Sequence, residues 1–464
     1  MRLFFFFCLL LSPFLCRGDD PIAVYLTWQG NPQTTMTVQW LSPLTETTSE
    51  VYYQNIDADG WKIAVGTHEN MPNGLPYLVH RVELTQLTPG ASYFFKPGKW
   101  ERGPYKFRTM PLNLENVRFA VGGDMYHDEL DFCVRTNRQV ARVDPMFVLV
   151  GGDLAYAEGR FPQKNNENQH RWVEWLAAWS HSMITPHGYM IPLLPTVGNH
   201  DTIGRYDQTP RQASLFYSLF AFPSEQGFQV LDFGHHLSIF ALDSGHTHPI
   251  DGLQAQWLYH ALKNRRQIPY KFAFYHVPAF PSVRRFDGEY NRQIRQHWVP
   301  IFETFGLSAA FEHHDHAYKR TYPLYQGHVD PHGVLYLGDG GWGVKHPRRP
   351  KSPKKVWYLV KTARERHFIL VDVKGKDCYF TAINDRGQVI DRCSQHFHPR
   401  LHILRKSRPQ PGVSKEPCPP LPPTFRSAAK PHLSRFPRQQ SSQNNRSFGP
   451  ENPSHFPVQN PASK

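Results

Sequence analysis

The 464-residue sequence contains only six cysteines, and none of them belongs to a Cys-x-x-Cys pair. This absence argues against a metal site built from thiolates, which commonly places its ligands at that spacing. Long apolar runs are also absent after the first 18 residues, whereas a helix that spans a bilayer needs about 20 apolar residues. We therefore predict no transmembrane span.

The N-terminus has the pattern of a secretory signal. Arg2 precedes an almost wholly apolar run over residues 3–15, and Cys16 and Gly18 provide small residues for cleavage. The run is too short for a membrane-spanning helix, although an uncleaved anchor is the alternative interpretation. We predict a signal peptide over residues 1–18 and a secreted or periplasmic protein.

The net charge of +13 is concentrated at the C-terminal end of the chain. Residues 399–464 contain 11 Lys/Arg and 2 Asp/Glu, a difference of +9, together with 14 of the 41 prolines. Such a segment cannot bury enough apolar surface to offset its ordering entropy. We expect a disordered basic tail, with adhesion to an anionic surface as the alternative, and no specific nucleic-acid partner.

Between these ends the sequence predicts two folded domains. Residues 19–110 contain short runs of alternating polarity rich in β-branched and aromatic residues, which favour a β-sandwich. In residues 115–398, short apolar runs alternate with helix-length segments, which indicates a mixed α/β (α+β) domain. The predicted strands of that domain are 117–121, 147–150, 191–197, 237–242, 271–275 and 307–311, and the predicted helices are 170–180, 253–262 and 294–305.

Two cysteines flank a predicted hairpin near the end of the second domain. Cys378 and Cys393 lie on either side of a turn at residues 384–387, so we expect them roughly opposite each other across the strands. A disulfide is plausible there and suits an exported protein. Two buried thiols are the alternative.

Side chains of the metal-ligand type follow five of the predicted strands. The carboxyl ends of strands in an open α/β sheet meet at the edge where ligands bind, so residues far apart in sequence can converge there. The 26 histidines of the chain also favour a metal site, because imidazole is the commonest protein ligand. The residues that follow the five strands are Asp124; Asp153 with Tyr156; Asn199; His276; and His314 with His316.

This set of ligands predicts two adjacent metal ions. Two carboxylates, one amide, three imidazoles and one phenol are too many for a single tetrahedral site. A carboxylate can bridge two ions, and two ions about 3.5–4 Å apart favour in-line displacement at phosphorus. Tyr156 favours Fe(III), because a phenol with a pKa near 10 binds as phenolate only when a strongly acidic cation displaces its proton.

The blocks around these residues resemble those of the purple acid phosphatases, a family of the metallophosphoesterase superfamily. Residues 254–258 look like the helix that precedes the fourth block in that family, and the N-terminal strands look like the fibronectin-type module of its larger members. The resemblance covers roughly residues 20–395 and implies a β-sandwich followed by a two-sheet α/β metallophosphoesterase domain. Its blocks are Gly123-Asp124, Gly152-Asp153-Leu154-Ala155-Tyr156, Gly198-Asn199-His200-Asp201, His276-Val277-Pro278 and the seven residues 314–320.

The resemblance also implies a role for each residue. A metal-bound hydroxide would attack phosphorus, and His200 would steady the phosphate or protonate the leaving oxygen. Asp153 would bridge the two ions. Fe(III) would be held by Asp124, Asp153, Tyr156 and His316, and a divalent ion (Zn, Fe or Mn) by Asp153, Asn199, His276 and His314.

Three departures from the family pattern set further expectations. Tyr126 replaces a small residue and could crowd the site, while the neighbouring His127 is expected to be a bystander. Arg284 and Arg285 stand where many plant relatives carry a histidine pair, and we interpret them as candidate phosphate anchors or plain surface charge. His313 replaces a glycine and is either structural or substrate-binding.

These features predict an acid phosphatase that hydrolyses small phosphate monoesters. The alternatives are a metallophosphodiesterase or nucleotide phosphohydrolase on the same scaffold, and a non-enzymatic surface protein that binds a partner through its β domain and tail. The complete ligand set argues against the last of these. The sequence leaves open a homodimer.

Overall fold

The computed structural model describes residues 21–98, 103–113, 116–158, 165–222 and 226–396, with the backbone alone over 165–168. The predicted signal peptide, the predicted tail and Cys8, Cys16 and Cys418 lie outside these residues. Among the helices that are described, none is both long enough and apolar enough to cross a bilayer.

The N-terminal part consists of two four-stranded antiparallel sheets. Their orders are β1-β2-β6-β5 and β4-β3-β7-β8, and fully buried side chains such as Trp28, Val82 and Phe107 lie in the core. This is the β domain predicted from the alternating pattern. Its strands are β1 Ala23–Thr27, β2 Met36–Pro43, β3 Glu50–Asn55, β4 Lys62–Val65, β5 Thr67–Asn70, β6 Tyr77–Leu84, β7 Ser92–Pro97 and β8 Tyr105–Arg108.

The rest of the described chain combines strands with helices. The strands are β9 Asn116–Gly122, β10 Val148–Gly151, β11 Leu193–Thr196, β12 Gln229–Phe233, β13 Leu237–Ala241, β14 Tyr270–Phe274, β15 Ala309–Glu312, β16 Tyr318–Thr321, β17 Leu324–Tyr325, β18 His328–Val329, β19 Leu335–Gly338, β20 Leu359–Ala363, β21 His367–Lys374, β22 Asp377–Asn384 and β23 Val389–His396. The helices are α1 Leu130–Arg142, α2 Asn165–Ser182, α3 Ser214–Leu219, α4 Gly252–Asn264, α5 Glu289–His297 and α6 Val299–Phe305.

Most of these strands form two mixed sheets. One has six strands in the order β11-β10-β9-β21-β22-β23, and the other has seven in the order β12-β13-β14-β15-β19-β16-β20. Strands β9–β11 run parallel in the first sheet, as do β13–β15 and β19 in the second. Phenylalanine rings from both sheets pack together, for example Phe119 against Phe272 and Phe311. The predicted two-sheet α/β fold is confirmed.

The six predicted strands all occur, with ends within two residues of the expected positions. Helices α2 and α4 were expected, whereas the single helix expected over 294–305 is two helices, α5 and α6. Pro300 lies at the start of α6, where its missing N–H is tolerated, but it cannot continue the hydrogen-bond ladder of a preceding helix. Helices α1 and α3 were not predicted.

The two hairpin cysteines do not form the disulfide, so the alternative of two thiols holds. In the antiparallel pair β22–β23, Cys378 lies opposite Gln395 and Cys393 lies opposite Phe380. Both thiols are free, and Cys378 is fully buried. The turn at residues 384–387 is present, but the register places the two cysteines two residues out of line, and a bulge that follows Ala382 contributes one of these residues.

Candidate metal centre

The predicted ligands follow strands of both mixed sheets. Asp124, Asp153 and Asn199 lie two or three residues beyond the ends of β9, β10 and β11, in the six-stranded sheet. His276 and His314 lie two residues beyond β14 and β15, in the seven-stranded sheet. The site therefore lies where the carboxyl edges of two packed sheets meet. The strand pattern of the sequence predicts the carboxyl edge of a single sheet.

The first group of ligands contains a carboxylate, a phenol and an imidazole. The hydroxyl of Tyr156 donates a 2.8 Å hydrogen bond to Oδ1 of Asp124 and lies 3.1 Å from Nε2 of His316. That nitrogen of His316 is also 2.8 Å from Oδ1 of Asp124. All three side chains are buried, and their polar atoms surround one point.

The second group has His276 at its centre. Nε2 of His276 lies 3.0 Å from Oδ1 of Asn199, 3.0 Å from Nδ1 of His314 and 3.3 Å from Oδ2 of Asp153. Ligand atoms of Asp153, His276 and His314 all lie within 4.8 Å of one another. Four buried polar atoms thus converge on a second point.

The hydrogen bonding of His276 indicates that this point suits a cation. Nδ1 of His276 lies 2.9 Å from the carbonyl oxygen of Gly151, which can only accept, so Nδ1 carries the hydrogen. In the neutral ring Nε2 is then an acceptor, and it faces Oδ1 of Asn199 and Oδ2 of Asp153, which are acceptors as well. Without a metal ion, burial alone would lower the pKa of His276, but Asp153 raises it to about 9, so a proton on Nε2 satisfies these acceptors. The point therefore favours positive charge, and a bound metal ion would take the place of that proton.

Asp153 connects the two groups. Its Oδ1 accepts a 2.7 Å hydrogen bond from the backbone N–H of His200, whereas its buried Oδ2 accepts none. Burial, and then the charges of Asp124 and Asp153, raise the pKa of Tyr156 well above its usual value. The carboxylate of Asp153 therefore acts on the first group while it contacts His276 of the second.

Electrostatics explains which cation the phenol would need. Burial alone would raise the pKa of Asp124, but the neighbouring His316 lowers it overall. The carboxyl is therefore ionised while the hydroxyl of Tyr156, with its raised pKa, stays protonated. Only a strongly acidic cation would displace that proton, so the surroundings fit Fe(III) better than a weaker Lewis acid.

The backbone at the site is strained. Asp124, Asp153, Tyr156, His314 and His316 all have positive φ, between 52° and 75°. A left-handed conformation costs a residue with a side chain about 1–2 kcal/mol, and such residues cluster at functional sites. Five of the seven predicted ligands lie in this region, which indicates that the fold holds them against their local preference.

His200 lies beside the first group. Its ring stacks on Tyr156 at 4.6 Å between centroids, and its Nδ1 lies 3.1 Å from the carbonyl oxygen of Glu158. Because that carbonyl accepts the Nδ1 hydrogen, Nε2 remains available to a ligand. Burial lowers the pKa of His200, although Asp153 acts in the opposite direction.

The other predicted site residues lie farther from the two groups. Arg284 donates through Nη2 to the carbonyl oxygen of His314 at 3.2 Å, so it lies beside the site. Arg285 is exposed and pairs with Asp287 at 3.2 Å. His313 is buried, with Nδ1 2.8 Å from the carbonyl oxygen of Tyr275, and its ring packs against the backbone at Gly123 and Gly151.

The side chain expected to crowd the site does not do so. The hydroxyl of Tyr126 donates a 2.8 Å hydrogen bond to Glu174 of α2, and the guanidinium of Arg171 lies 3.6 Å from its ring centroid. His127, expected to be a bystander, packs edge-on at 4.9 Å from Tyr156. Tyr126 is thus part of the contact with α2.

Two residues at the site are not among the ligands predicted from the sequence. Asp201 accepts 2.8–3.0 Å hydrogen bonds from the backbone N–H groups of Asp153, Leu154 and Gly198, so it orients the loop that carries a ligand. Its place in the Gly-Asn-His-Asp block was a signal for it. The hydroxyl of Tyr206 lies 3.4 Å from Nε2 of His314, and no motif marks it.

The fold and the two ligand groups define a metallophosphoesterase. A family model for calcineurin-like phosphoesterases matches residues 117–318, and one for the N-terminal domain of purple acid phosphatases matches residues 21–109. The chain belongs to the purple acid phosphatase family.

Curated relatives agree with this assignment. Purple acid phosphatase 21 of Arabidopsis thaliana is 27% identical over 57% of this chain, and the match spans 58% of that relative's length. Acid phosphatase type 7 of Mus musculus is 24% identical over 83% of this chain and 94% of its own length. Among solved structures, the purple acid phosphatase from yellow lupin seeds covers 81% of this chain and 74% of its own, with a TM-score of 0.66 and 16% identity; it shows the fold.

Proposed function

We propose that the chain hydrolyses phosphate monoesters at acidic pH with two metal ions. Fe(III) would be held by Asp124, Asp153, Tyr156 and His316, and a divalent ion, Zn, Fe or Mn, by Asp153, Asn199, His276 and His314. The observation that carries the proposal is the convergence of seven side chains into two buried groups with Asp153 in contact with both.

The ions and the protein would supply different parts of the chemistry. Two bound ions would polarise phosphoryl oxygens and make water acidic enough to react at low pH. The protein fixes the positions of the ligands through Asp201, whose carboxylate binds three backbone N–H groups around Asp153. It also holds His200 at the rim of the first group with Nε2 available.

His200 and Arg284 are the proposed contacts to substrate. In its imidazolium form, which acidic pH favours, His200 would donate the Nε2 proton to the leaving oxygen and keep the Nδ1 hydrogen bonded to the carbonyl oxygen of Glu158. Arg284, beside His314, would bind a phosphate oxygen through its guanidinium. We assign no phosphate contact to His313, which is buried, or to Arg285, which pairs with Asp287.

We also propose that the protein is exported with its signal at residues 1–18, and that its folded domains extend over 19–110 and 115–398. Arg2 and the apolar run after it support export. The substrate class is small phosphate esters.

A comparison of two chromogenic esters tests the activity. The purified protein should release phosphate from para-nitrophenyl phosphate at pH 5, and should turn over bis(para-nitrophenyl) phosphate more slowly. Faster turnover of the bis-ester would contradict the monoesterase assignment. The iron assignment predicts a visible tyrosinate-to-iron band that is lost in Tyr156→Phe; a spectrum unchanged by the substitution would refute it.

A further inference from the structure

A strongly basic segment borders the candidate metal centre. Residues 345–355, the basic strap, contain six Lys/Arg and one histidine, and no Asp or Glu. Prolines recur at every third position, at 347, 350 and 353. Because proline fixes φ, this spacing restricts the backbone of the strap, which ends in a short 3₁₀ helix at Pro353–Lys355.

The strap is attached to loops that carry predicted ligands. The backbone N–H of Arg348 donates a 2.8 Å hydrogen bond to the carbonyl oxygen of His316. Three residues later, the N–H of Lys351 donates a 2.8 Å hydrogen bond to the carbonyl oxygen of Ser282, in the loop that follows His276. The strap is thus anchored at two points next to the site, so its charges lie at the rim of the site.

Several charges of the strap have no carboxylate partner. Lys345 pairs with Glu129 at 2.6 Å, but within the described residues no salt bridge joins Arg348, Arg349, Lys354 or Lys355 to an acid. Arg349, Lys354 and Lys355 are exposed.

Several arginines of the same domain, unlike Arg348 and Arg349, form ion pairs of 2.6–2.8 Å with carboxylates. These pairs are Arg118–Asp372, Arg265–Asp232, Arg320–Asp391 and Arg366–Asp385. Isolated exposed lysines are ordinary solvated surface charge and need no ligand to explain them. A run of six cations fixed beside a phosphate site, without acids between them, instead raises the local concentration of anions.

We propose that the basic strap binds a second phosphate group of the substrate. This inference depends on the proposed function, because the phosphate that is cleaved would lie at the metal centre. Arg349 lies one residue from the anchored Arg348, and consecutive Cα atoms are about 3.8 Å apart, so its Cα lies near the rim and its side chain is exposed. Arginine binds phosphate oxygens in pairs, and lysine adds point charge. The preferred substrates are therefore small esters that carry at least one further phosphate group.

Two sugar phosphates that differ by one phosphate group test the strap. The ratio of kcat/KM for fructose 1,6-bisphosphate to that for fructose 6-phosphate should exceed one for the intact metal-loaded protein. The double variant R349Q/K354Q should lower this ratio about fivefold, as expected for two exposed charge contacts, and should leave para-nitrophenyl phosphate turnover unchanged. High salt should lower the wild-type ratio in the same direction.

A charge-matched control separates the strap from net charge. Lys374 and Lys376 are exposed at the opposite end of the sheet, since Lys374 pairs with Asn116 at the start of β9. K374Q/K376Q should keep the wild-type ratio. An equal ratio in the strap variant and the wild type, or an equal loss in both double variants, would overturn the inference.

The experiment also distinguishes failure of the strap proposal from failure of the proposed function. If the wild type hydrolyses neither sugar phosphate nor the chromogenic ester, the phosphatase assignment fails. Calorimetric binding of fructose 1,6-bisphosphate to the same proteins then decides the question for the strap. Weaker binding to R349Q/K354Q than to K374Q/K376Q supports the second phosphate site, and equal binding overturns it.

Discussion

Two fully buried histidines, one in each part of the molecule, have opposite surroundings. In the β-sandwich, Nε2 of His80 lies 2.7 Å from the hydroxyl of Ser42, and Nδ1 lies 3.0 Å from that of Ser49. In the α/β part, Nε2 of His276 faces an amide oxygen, a carboxylate and another imidazole. His80 is satisfied by hydroxyls that can donate or accept, whereas two of the three groups around Nε2 of His276 can only accept.

The difference shows that burial of a histidine does not by itself indicate function. A hydroxyl adapts to either ring nitrogen, so the surroundings of His80 need nothing else. The acceptors around His276 favour positive charge at Nε2, which either a proton or a metal ion supplies. Backbone strain follows the same division, because the positive-φ residues Asn73 and Gln86 of the sandwich lie in turns, whereas five predicted ligands are strained at the site.

Removing the carboxylate that connects the two groups should have the largest effect. We expect Asp153→Asn to lower kcat/KM for para-nitrophenyl phosphate by roughly 10⁴-fold, about 5 kcal/mol, because it removes a ligand of both ions. Steady-state kinetics measure the effect.

The exposed Asp251 provides the control for this variant, because its side chain makes no capping hydrogen bond at the start of α4. Asp251→Asn should retain full activity. Activity of Asp153→Asn within tenfold of the wild type would show that the buried acceptors do not hold the ions.

Lys319 is a buried charge that the α/β part satisfies internally. Its Nζ donates 2.5–2.6 Å hydrogen bonds to Glu312 and to the carbonyl oxygen of Phe280, and it lies 3.5 Å from Asp339. Lys319→Met leaves the buried carboxylate of Glu312 without its cation, so we expect it to lower the free energy of unfolding by about 3–4 kcal/mol. Urea unfolding of the metal-free protein is the measurement.

The exposed Lys361 is the matched control for Lys319, and Lys361→Met should change the free energy of unfolding by less than about 0.5 kcal/mol. If the two lysine variants were equally stable, the network around Lys319 would not depend on its charge.

Substitution of His80 should have the smallest effect on the free energy of unfolding, and this effect depends on pH. Burial lowers the pKa of His80 from 6.5 to about 4, and the nearby His68 acts in the same direction. The unfolded chain therefore binds this proton first as the pH falls, so the stabilisation is complete above pH 6.5 and is lost between pH 6.5 and 4. The loss amounts to about 2 kcal/mol at pH 4.5.

In that range, His80→Gln should lower the slope of the unfolding free energy against pH by the equivalent of one proton. The exposed His236 gives the control, since His236→Gln should leave the slope as it is in the wild type. A slope for His80→Gln equal to that of the wild type would mean that His80 is protonated in the folded protein.

The strands and the order of the ligands could be predicted because each is local. A short apolar run ending in Gly-Asp or Gly-Asn-His is visible in the sequence, and the runs coincide with β9, β10, β11, β14 and β15. The division of these strands between two sheets, and the offset of Cys378 from Cys393, depend on pairing register. Register is set by contacts across the sheets, which a single sequence does not display.

The roles of the non-ligand residues were harder to predict. The expectations for Tyr126 and His313 depend on the residue types that usually occupy their positions. The orientation of each side chain depends instead on a tertiary contact, with Glu174 for Tyr126 and with the carbonyl oxygen of Tyr275 for His313. Tyr206 reaches His314 from a loop with no motif, where its ring stacks between those of His246 and Tyr290. Such placements arise from tertiary contacts.

Metal analysis of the purified chain, with the Asp153→Asn variant beside it, tests the central claim most directly. We predict two metal ions per wild-type chain, at least one of them iron, and no more than one ion per chain in the variant. A single ion per wild-type chain, or two ions retained by Asp153→Asn, would contradict a pair of ions held between these seven side chains.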